Sequence, residues 1–312
     1  MQAKLPLTGS REENGTPVLV VRYVAVFEPN TFTIHYEPNY PIIDAGAQSG
    51  EMADQTFSAA TTSRNLSPNQ FQCKGYTFDG WTTGKGDFYS DGAAFTQTVE
   101  NEGKVTLYAQ WERLADVTIF YTPEPTSLGT VKLNPTESNE LDPQDGMVSE
   151  SLNPETGTAR GATAVPGEGS VFVGWYDAKD TERENPLTDS MTYTPEKNSS
   201  SKRYQDGSYV ALFRLKQYVL HYVANAADAA GTMEDQTFPH GQAYPLKECA
   251  FSREGYRFVG WATGPAGEVK YEDQKSIKLD EEFQNLTNDN EKVYLYAVWQ
   301  EQRVTLSYEP ND

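Results

Sequence analysis

Cysteine is nearly absent from this sequence, which contains only Cys73 and Cys249 among its 312 residues. The two lie far apart, and each has a different spacing to the next Gly-Tyr, so the pattern does not indicate a shared disulfide framework. Low cysteine content is usual in the cytoplasm but also occurs in exported bacterial proteins. It therefore leaves the compartment open.

Long hydrophobic runs are also missing. The sequence has no stretch of about 18 apolar residues, and its first ten residues, MQAKLPLTGS, lack the apolar core of a signal peptide. It therefore predicts neither a membrane-spanning helix nor an export signal. Residues 303–312, RVTLSYEPND, begin a strand-like pattern, which indicates that the sequence is a piece of a longer protein.

Basic residues are few. Lys and Arg number 25 against 45 Asp and Glu, which gives a formal net charge of -20. Such a chain is repelled by phosphate backbones and by anionic membranes, so we expect no nucleic-acid partner and no membrane insertion. An acidic surface that keeps an extended protein soluble explains this charge better than a dedicated cation-binding role.

Aromatic residues are abundant, with 19 Tyr, 14 Phe and 5 Trp, and they recur in a fixed order. The sequence GYTFDGW at 75–81 returns as GSVFVGW at 169–175 and as GYRFVGW at 255–261. A closing motif, LYAQW, ends at Trp111 and returns as YVALF and LYAVW. All five tryptophans fall on these two motifs. We expect structural roles for Gly75, Tyr76, Phe78, Gly80, Trp81, Trp111, Phe172, Gly174, Trp175, Phe213, Gly255, Tyr256, Phe258, Gly260, Trp261 and Trp299.

Each repeat opens with a short alternating strand: FTIHY, VTIFY, YVLHY and finally VTLSY. Together with the closing motifs, these openings define three complete units and two partial ones. The predicted boundaries are the tail of a preceding repeat at 1–30, repeat 1 at 31–114, repeat 2 at 115–216, repeat 3 at 217–302 and the start of a further repeat at 303–312. The connections between units are short, which predicts a semi-rigid rod.

The strands alternate apolar and polar residues, so one face of each sheet is expected to be buried. The glycine before each motif tryptophan predicts a bulge or a close backbone approach. In repeat 3, residues 246–251 are predicted to form a short helix between strands. The sequence thus predicts a mainly β (α+β) fold of tandem β-grasp-like repeats, each a small sheet with one short helix.

Repeat 2 is longer than its neighbours and lacks a recognisable DQTF strand. Its insertion, at about 137–169, is rich in polar residues, glycine and proline, and it is predicted to be a long exposed loop or hairpin. Long loops on rigid scaffolds often carry function, so the insertion is also a candidate contact surface.

The motifs closely resemble the Listeria/Bacteroides repeat, the family that includes the B-repeat of internalin-type surface proteins. The resemblance is carried by GTMEDQTF, FSREGYRFVGW and LYAVW in repeat 3, and by MADQTF, GYTFDGW and the closing Trp in repeat 1. Repeat 2 departs from it at Ser170 and Phe213. The resemblance implies β-grasp spacer or adhesive modules of cell-wall-attached proteins from Gram-positive and gut bacteria, and therefore an extracellular location. It supplies no catalytic residues.

Sequence patterns typical of catalytic or metal-binding sites are scarce. His35 and His221 occupy the same repeat position and lack further ligands at metal-binding spacing. The acidic loops at 177–184 and 288–291 do not have the spacing of a calcium loop. Residues 5–9, LPLTG, fit a sortase signal, but that signal belongs near a C-terminus. We therefore expect no catalytic, cofactor or metal site.

The sequence favours a non-enzymatic repeat region of a bacterial surface protein, acting in adhesion and as a stalk. Its expected partner is an unidentified extracellular protein or glycan. The alternative is a pure spacer that presents a distal functional domain, and an enzyme is the least favoured reading.

Overall fold

A computed structural model describes residues 7–22, 25–42, 45–58, 61, 64–135, 146–283 and 286–308. The described chain is almost entirely strand and loop. It divides into two compact bodies, one formed by residues 1–116 with 153–156 and the other by residues 117–152 with 157–312. Repeat 1 belongs to the first body, and most of repeat 2 and all of repeat 3 belong to the second.

Each repeat contains one four-stranded sheet built from an opening, a second, a third and a closing strand. Their order across the sheet is second, opening, closing, third. The opening and closing strands are parallel, and both outer pairs are antiparallel. In chain order the four strands are Thr31–Glu37, Gln55–Ser58, Tyr76–Thr82 and Gly103–Arg113 in repeat 1; Val117–Glu124, Val148–Leu152, Ser170–Asp177 and Gly207–Leu215 in repeat 2; and Gln217–Val223, Gln236–Pro239, Tyr256–Ala262 and Glu291–Glu301 in repeat 3.

This 2-1-4-3 order with a parallel central pair is the β-grasp arrangement, so the predicted class of mainly β, tandem β-grasp-like repeats is confirmed. The period of two explains why these segments are strands. In the opening strand of repeat 1, Phe32, Ile34 and Tyr36 are buried while the residues between them remain partly exposed. Each repeat has its own hydrophobic core.

A bulge interrupts the third strand of every repeat, as the glycines before the tryptophans predict. The ladder shifts register between Phe78 and Gly80, and likewise at Gly174 and Gly260. A Cβ atom on Gly80 would lie 2.7 Å from the backbone oxygen of Tyr89. Only glycine fits where two backbones approach this closely.

The predicted helix at 246–251 is absent, and this expectation was wrong. The N–H of Leu246 bonds to the carbonyl of Lys275, that of Lys247 to the hydroxyl of Tyr222, and that of Cys249 to the carboxylate of Asp273. Distant acceptors therefore satisfy the donors that a helix would pair internally. The short helices of the described chain are Leu279–Glu282 and a 3-10 turn, Ala45–Ala47.

The described part of the repeat 2 insertion, residues 146–169, is neither the long exposed loop nor the hairpin that was predicted; residues 137–145 lie outside the described chain. Val148–Leu152 is the second strand that the sequence did not reveal. Ala162–Pro166 pairs with Gly129–Leu133 and with Thr192–Tyr193 in an additional small sheet, and Ala162 and Ala164 are fully buried. The insertion supplies core residues.

The remaining strands form small pairs. Leu7–Glu13 pairs with Thr16–Arg22, Gln48–Ser49 with Gln72–Cys73, and Ala243–Pro245 with Ser276–Lys278. Both cysteines are free thiols, in keeping with the predicted lack of a disulfide.

Among the described residues, neither 7–30 nor 303–308 forms a four-stranded sheet like those of the three repeats. Residues 25–30 and 303–308 are not in strands, and Phe27 and Tyr308 are largely exposed. Of the LPLTG segment, residues 5–6 lie outside the described chain, and Leu7–Gly9 begins the first hairpin strand. The repeat boundaries and the rod-like arrangement stay predictions.

Candidate binding groove in repeat 2

The motif aromatics form the centre of each repeat core. The tryptophans after the bulges, Trp81, Trp175 and Trp261, are fully buried. Each lies against the preceding motif phenylalanine, with ring centroids 4.9 Å apart for Phe78, 6.2 Å for Phe172 and 4.8 Å for Phe258. Tyr76 and Tyr256 are half-buried at the start of their third strands.

In every repeat, the aromatic residue that ends the closing motif also packs against this phenylalanine. In repeats 1 and 3 it is Trp111 or Trp299, whose indole N–H donates to the backbone oxygen of Pro38 or Ala224 at 2.8 Å. Phe213 replaces it in repeat 2 and is buried, but it has no N–H to donate.

The solvent-facing side of the sheet is polar in repeats 1 and 3. His35 Nδ1 lies 2.6 Å from Asp54 Oδ1, and His221 Nδ1 lies 2.5 Å from Asp235 Oδ1. The imidazole hydrogen bond holds the pKa of each aspartate below its usual value. No group of three or more metal-ligating side chains occurs within the described ranges.

Repeat 2 has Phe120 where the other repeats have these histidines, and here the solvent-facing side bears a groove of about 600 Å³. The opening strand contributes Thr118 and Phe120 to its lining, and the closing strand contributes Ser208. The other lining residues are Asp177, Ala178, Lys179, Pro195, Glu196, Asn198, Tyr204, Gln205, Asp206, Gly207 and Tyr209. We call these residues the repeat 2 groove.

Hydrogen bonds from backbone N–H groups to side-chain oxygens hold the segments that line the groove. Asp177 accepts the N–H of Lys179 at 2.8 Å, and Asp206 accepts the N–H of Thr118 at 2.7 Å. The side-chain carbonyl of Asn198 accepts the N–H groups of Ser200 and Ser201, each at 3.0 Å, which closes a tight turn. These hydrogen bonds hold the backbone of the lining residues in place.

The groove combines hydrogen-bond acceptors with aromatic rings. Asp177, Glu196 and Asp206 contribute three carboxylates, and Phe120 contributes an aromatic ring. Lys179 lines the groove as well, and the ammonium of Lys197 lies 5.2 Å from the ring centroid of Tyr204, another lining residue. Burial raises the pKa of Tyr209, whose ring packs against Tyr121 and Tyr193.

Sequence reasoning missed the groove. It placed candidate contacts in the insertion at 137–169, and it considered residues 177–184 only as a solvated acidic loop. The signal that was available is NSSS at 198–201, a turn-forming run beside Tyr204. The parallel pairing of the opening and closing strands brings residues 206–208 beside Phe120. The sequence of repeat 2 did not show this pairing.

Two family models match the chain over more than half of its length. The Listeria-Bacteroides repeat domain matches residues 44–110 and 218–298, and the divergent InlB B-repeat domain matches residues 140–202. Repeats 1 and 3 belong to the Listeria-Bacteroides repeat family. Both models describe repeat domains of surface proteins. The two Listeria-Bacteroides matches fall within repeats 1 and 3, and the divergent match falls within repeat 2.

A relative in Evansella cellulosilytica, named "Putative Gly-rich membrane protein", is 25% identical to this chain over 242 residues. The match covers 76% of this chain and 22% of that protein, so the Listeria-Bacteroides repeats here span about a fifth of the relative's length. Within the described ranges, the chain contains no helix with the length and apolar character to cross a membrane.

Among solved structures, the Bacillus anthracis TIE protein overlaps the chain with a TM-score of 0.30 and 9% identity, over 95% of this chain and 59% of that one. An overlap this weak supports no conclusion about a shared fold or function.

Proposed function

We propose that this chain is a non-enzymatic segment of a bacterial cell-surface protein, and that it binds an extracellular glycan through the repeat 2 groove. Repeats 1 and 3 act as spacers on either side of it. The observation that supports the proposal is the groove itself, which lies in the divergent repeat and contains both rings and acceptors.

The groove chemistry favours a neutral or amine-bearing sugar. Carbohydrate hydroxyls need acceptors such as Asp177, Glu196 and Asp206, and the apolar face of a sugar ring packs well on an aromatic side chain such as Phe120. The three lining carboxylates and the net charge of -20 disfavour sulfated or sialylated glycans.

The test is to immobilise the 312-residue protein and measure its binding to an array of neutral, amino and sialylated glycans. Phe120→His introduces the residue that repeats 1 and 3 have at this position, and Glu196→Gln removes an exposed charge. Both variants should retain the fold and should weaken glycan binding by roughly tenfold, equivalent to about 1.4 kcal/mol.

The matched control is Glu234→Gln, which removes an exposed carboxylate from repeat 3. It should leave binding unchanged. Deleting residues 137–169 is not a usable test, because it would remove the second strand and buried core residues of repeat 2. Saturable binding that is indifferent to both groove variants would refute the proposal.

The alternative is a pure spacer. It is favoured by the contacts that connect repeats 2 and 3, including the Arg214–Asp289 ion pair at 2.5 Å and the hydrogen bond from Lys216 to the backbone oxygen of Thr287 at 2.7 Å. Absence of binding across neutral, amino and acidic glycans would select this alternative.

A further inference from the structure

One glycine occupies the same place in all three repeats, at the turn just before the third strand. Each has a positive φ of +83°, +67° or +75°. Each also accepts, through its carbonyl, the N–H of the residue that follows the closing strand, at 2.8–2.9 Å. These glycines are Gly75, Gly169 and Gly255, and their donors are Leu114, Lys216 and Gln302.

In repeat 1 this glycine is covered. Gly75 is buried, and its N–H donates to the Glu155 carboxylate at 2.5 Å. The side-chain amide of Asn153 donates to the Gly75 carbonyl at 3.2 Å. Asn153 is the residue directly after the second strand of repeat 2, and the segment Asn153–Thr156 belongs to the first compact body.

In repeat 2 the equivalent glycine is covered by the corresponding turn of repeat 3, although through different contacts. Gly169 is buried, and a Cβ atom built on it would lie 1.9 Å from the imidazole Cδ2 of His240. The backbone N–H of His240 donates to the carbonyl of Lys216 at 2.9 Å. His240 directly follows the second strand of repeat 3, as Asn153 follows that of repeat 2.

In repeat 3 the equivalent glycine is uncovered. Gly255 is exposed, and among the described residues no atom lies within 4 Å of the position that a Cβ on it would take. The residues that follow, VTLSY at 304–308, repeat the opening-strand pattern. Their apolar side chains are 73–89% exposed, at positions that are buried in complete repeats.

We propose that the surface around Gly255 is the docking site for a further repeat of the same family in the same chain, and that the turn after the second strand of that repeat covers Gly255. The occupant is argued from the two junctions that already have this contact. The spacing from Gln302 to Tyr308 equals that from Lys216 to Tyr222, so a following repeat would be attached as repeat 3 is. The proposal does not depend on the ligand of the groove.

The experiment compares one substitution in two chains. The first chain is the 312-residue protein; in the second, residues 303–312 are replaced by a second copy of residues 217–302, which brings an equivalent of His240. Gly255→Ala should cost only backbone strain in the first chain. In the second it should lower the melting temperature by roughly 4 °C more, because the new methyl group meets the imidazole.

Gly169→Ala is the matched reference, because Gly169 has nearly the same φ as Gly255 and already lies against the imidazole of His240. Changing the copy's equivalent of His240 to Ala should rescue Gly255→Ala in the extended chain, since the two effects are then coupled. Equal losses in both chains, or no rescue, would overturn the proposal. Self-association of the 312-residue protein that Gly255→Ala abolishes would assign the surface to a second copy, and would also overturn it.

Discussion

Repeats 2 and 3 reach the same sheet by different polar chemistry. In repeat 3 the second strand places Gln236 beside the hydroxyl of Tyr222, which donates to it at 2.6 Å. In repeat 2 the second strand has a different sequence but the same register, and Glu150 accepts the hydroxyl of Tyr121 at 2.7 Å. The opening-strand tyrosine therefore has the same position in both repeats, while the side chain that accepts its hydroxyl differs.

The backbone groups around each side chain explain why one repeat has a glutamate and the other a glutamine. Glu150 also accepts the N–H groups of Arg160 and Gly161, at 2.8 and 3.1 Å, so both its oxygens face donors. Gln236 instead donates its amide to the carbonyl of Pro245 at 2.9 Å. Each side chain therefore suits only its own repeat, because a carboxylate cannot donate and an amide cannot accept on both sides.

The largest expected effect tests what the two repeats share. Trp175→Ala and Trp261→Ala should each destabilise their own repeat by about 3–5 kcal/mol, because both rings are fully buried. Differential scanning calorimetry of the full chain should show the corresponding transition shifted or lost in each variant.

Tyr294→Ala is the control, because this ring is 44% exposed in repeat 3. It should change stability by less than about 0.5 kcal/mol. If either tryptophan variant melted like the parent protein, that tryptophan would not be the centre of its core.

A medium effect tests what the two repeats do not share. Glu150→Gln places an amide against two backbone donors, and Gln236→Glu removes the donor to Pro245 and places an anion there. Each should cost about 1–3 kcal/mol in urea denaturation at pH 7. The cost of Gln236→Glu should shrink in acid, because a protonated glutamate can donate again.

Glu254→Gln, at an exposed position of repeat 3, serves as the control and should be nearly neutral. The distinction between the two repeats fails if the exchanged side chains are tolerated at both positions.

The smallest effect concerns acid stability. A hydrogen bond from Arg214 lowers the pKa of Asp289, which also accepts the N–H of Gln217 at 2.8 Å. Since the folded pKa lies below the unfolded one, near about 3.9, the pair stabilises the fold above that pH. The stabilisation is lost as the pH falls through the folded value. Asp289→Asn should cost less than about 1 kcal/mol at pH 7.

Urea denaturation of Asp289→Asn and its parent from pH 7 to pH 2 provides the measurement, and the two curves should converge below pH 4. Repeat 1 provides the natural control, because Asn101 accepts the N–H of Thr31 at 2.9 Å in a similar place without a charge. A difference that is equal at pH 7 and pH 2 would show that the charge of Asp289 contributes nothing.

Much of the fold was predictable from the aromatic spacing, and much of the candidate site was not. The bulges follow from a glycine next to a large ring, which is a local pattern. The helix expected at 246–251 failed because Tyr222 and Asp273, distant in sequence, take its backbone donors. The groove was missed because the pairing of the opening and closing strands places residues 206–208 beside Phe120.

The sequence by itself determined the alternation of the strands and the burial of Trp81, Trp175 and Trp261, because burying apolar side chains with a period of two is a local requirement of a strand. Only the tertiary structure decided that Val148–Leu152 is a second strand, that Ala162 is core and that Gly255 is exposed where Gly75 and Gly169 are covered. The physical reason is that hydrogen-bond partners and covering groups come from segments far away in the chain, whose positions no local pattern records.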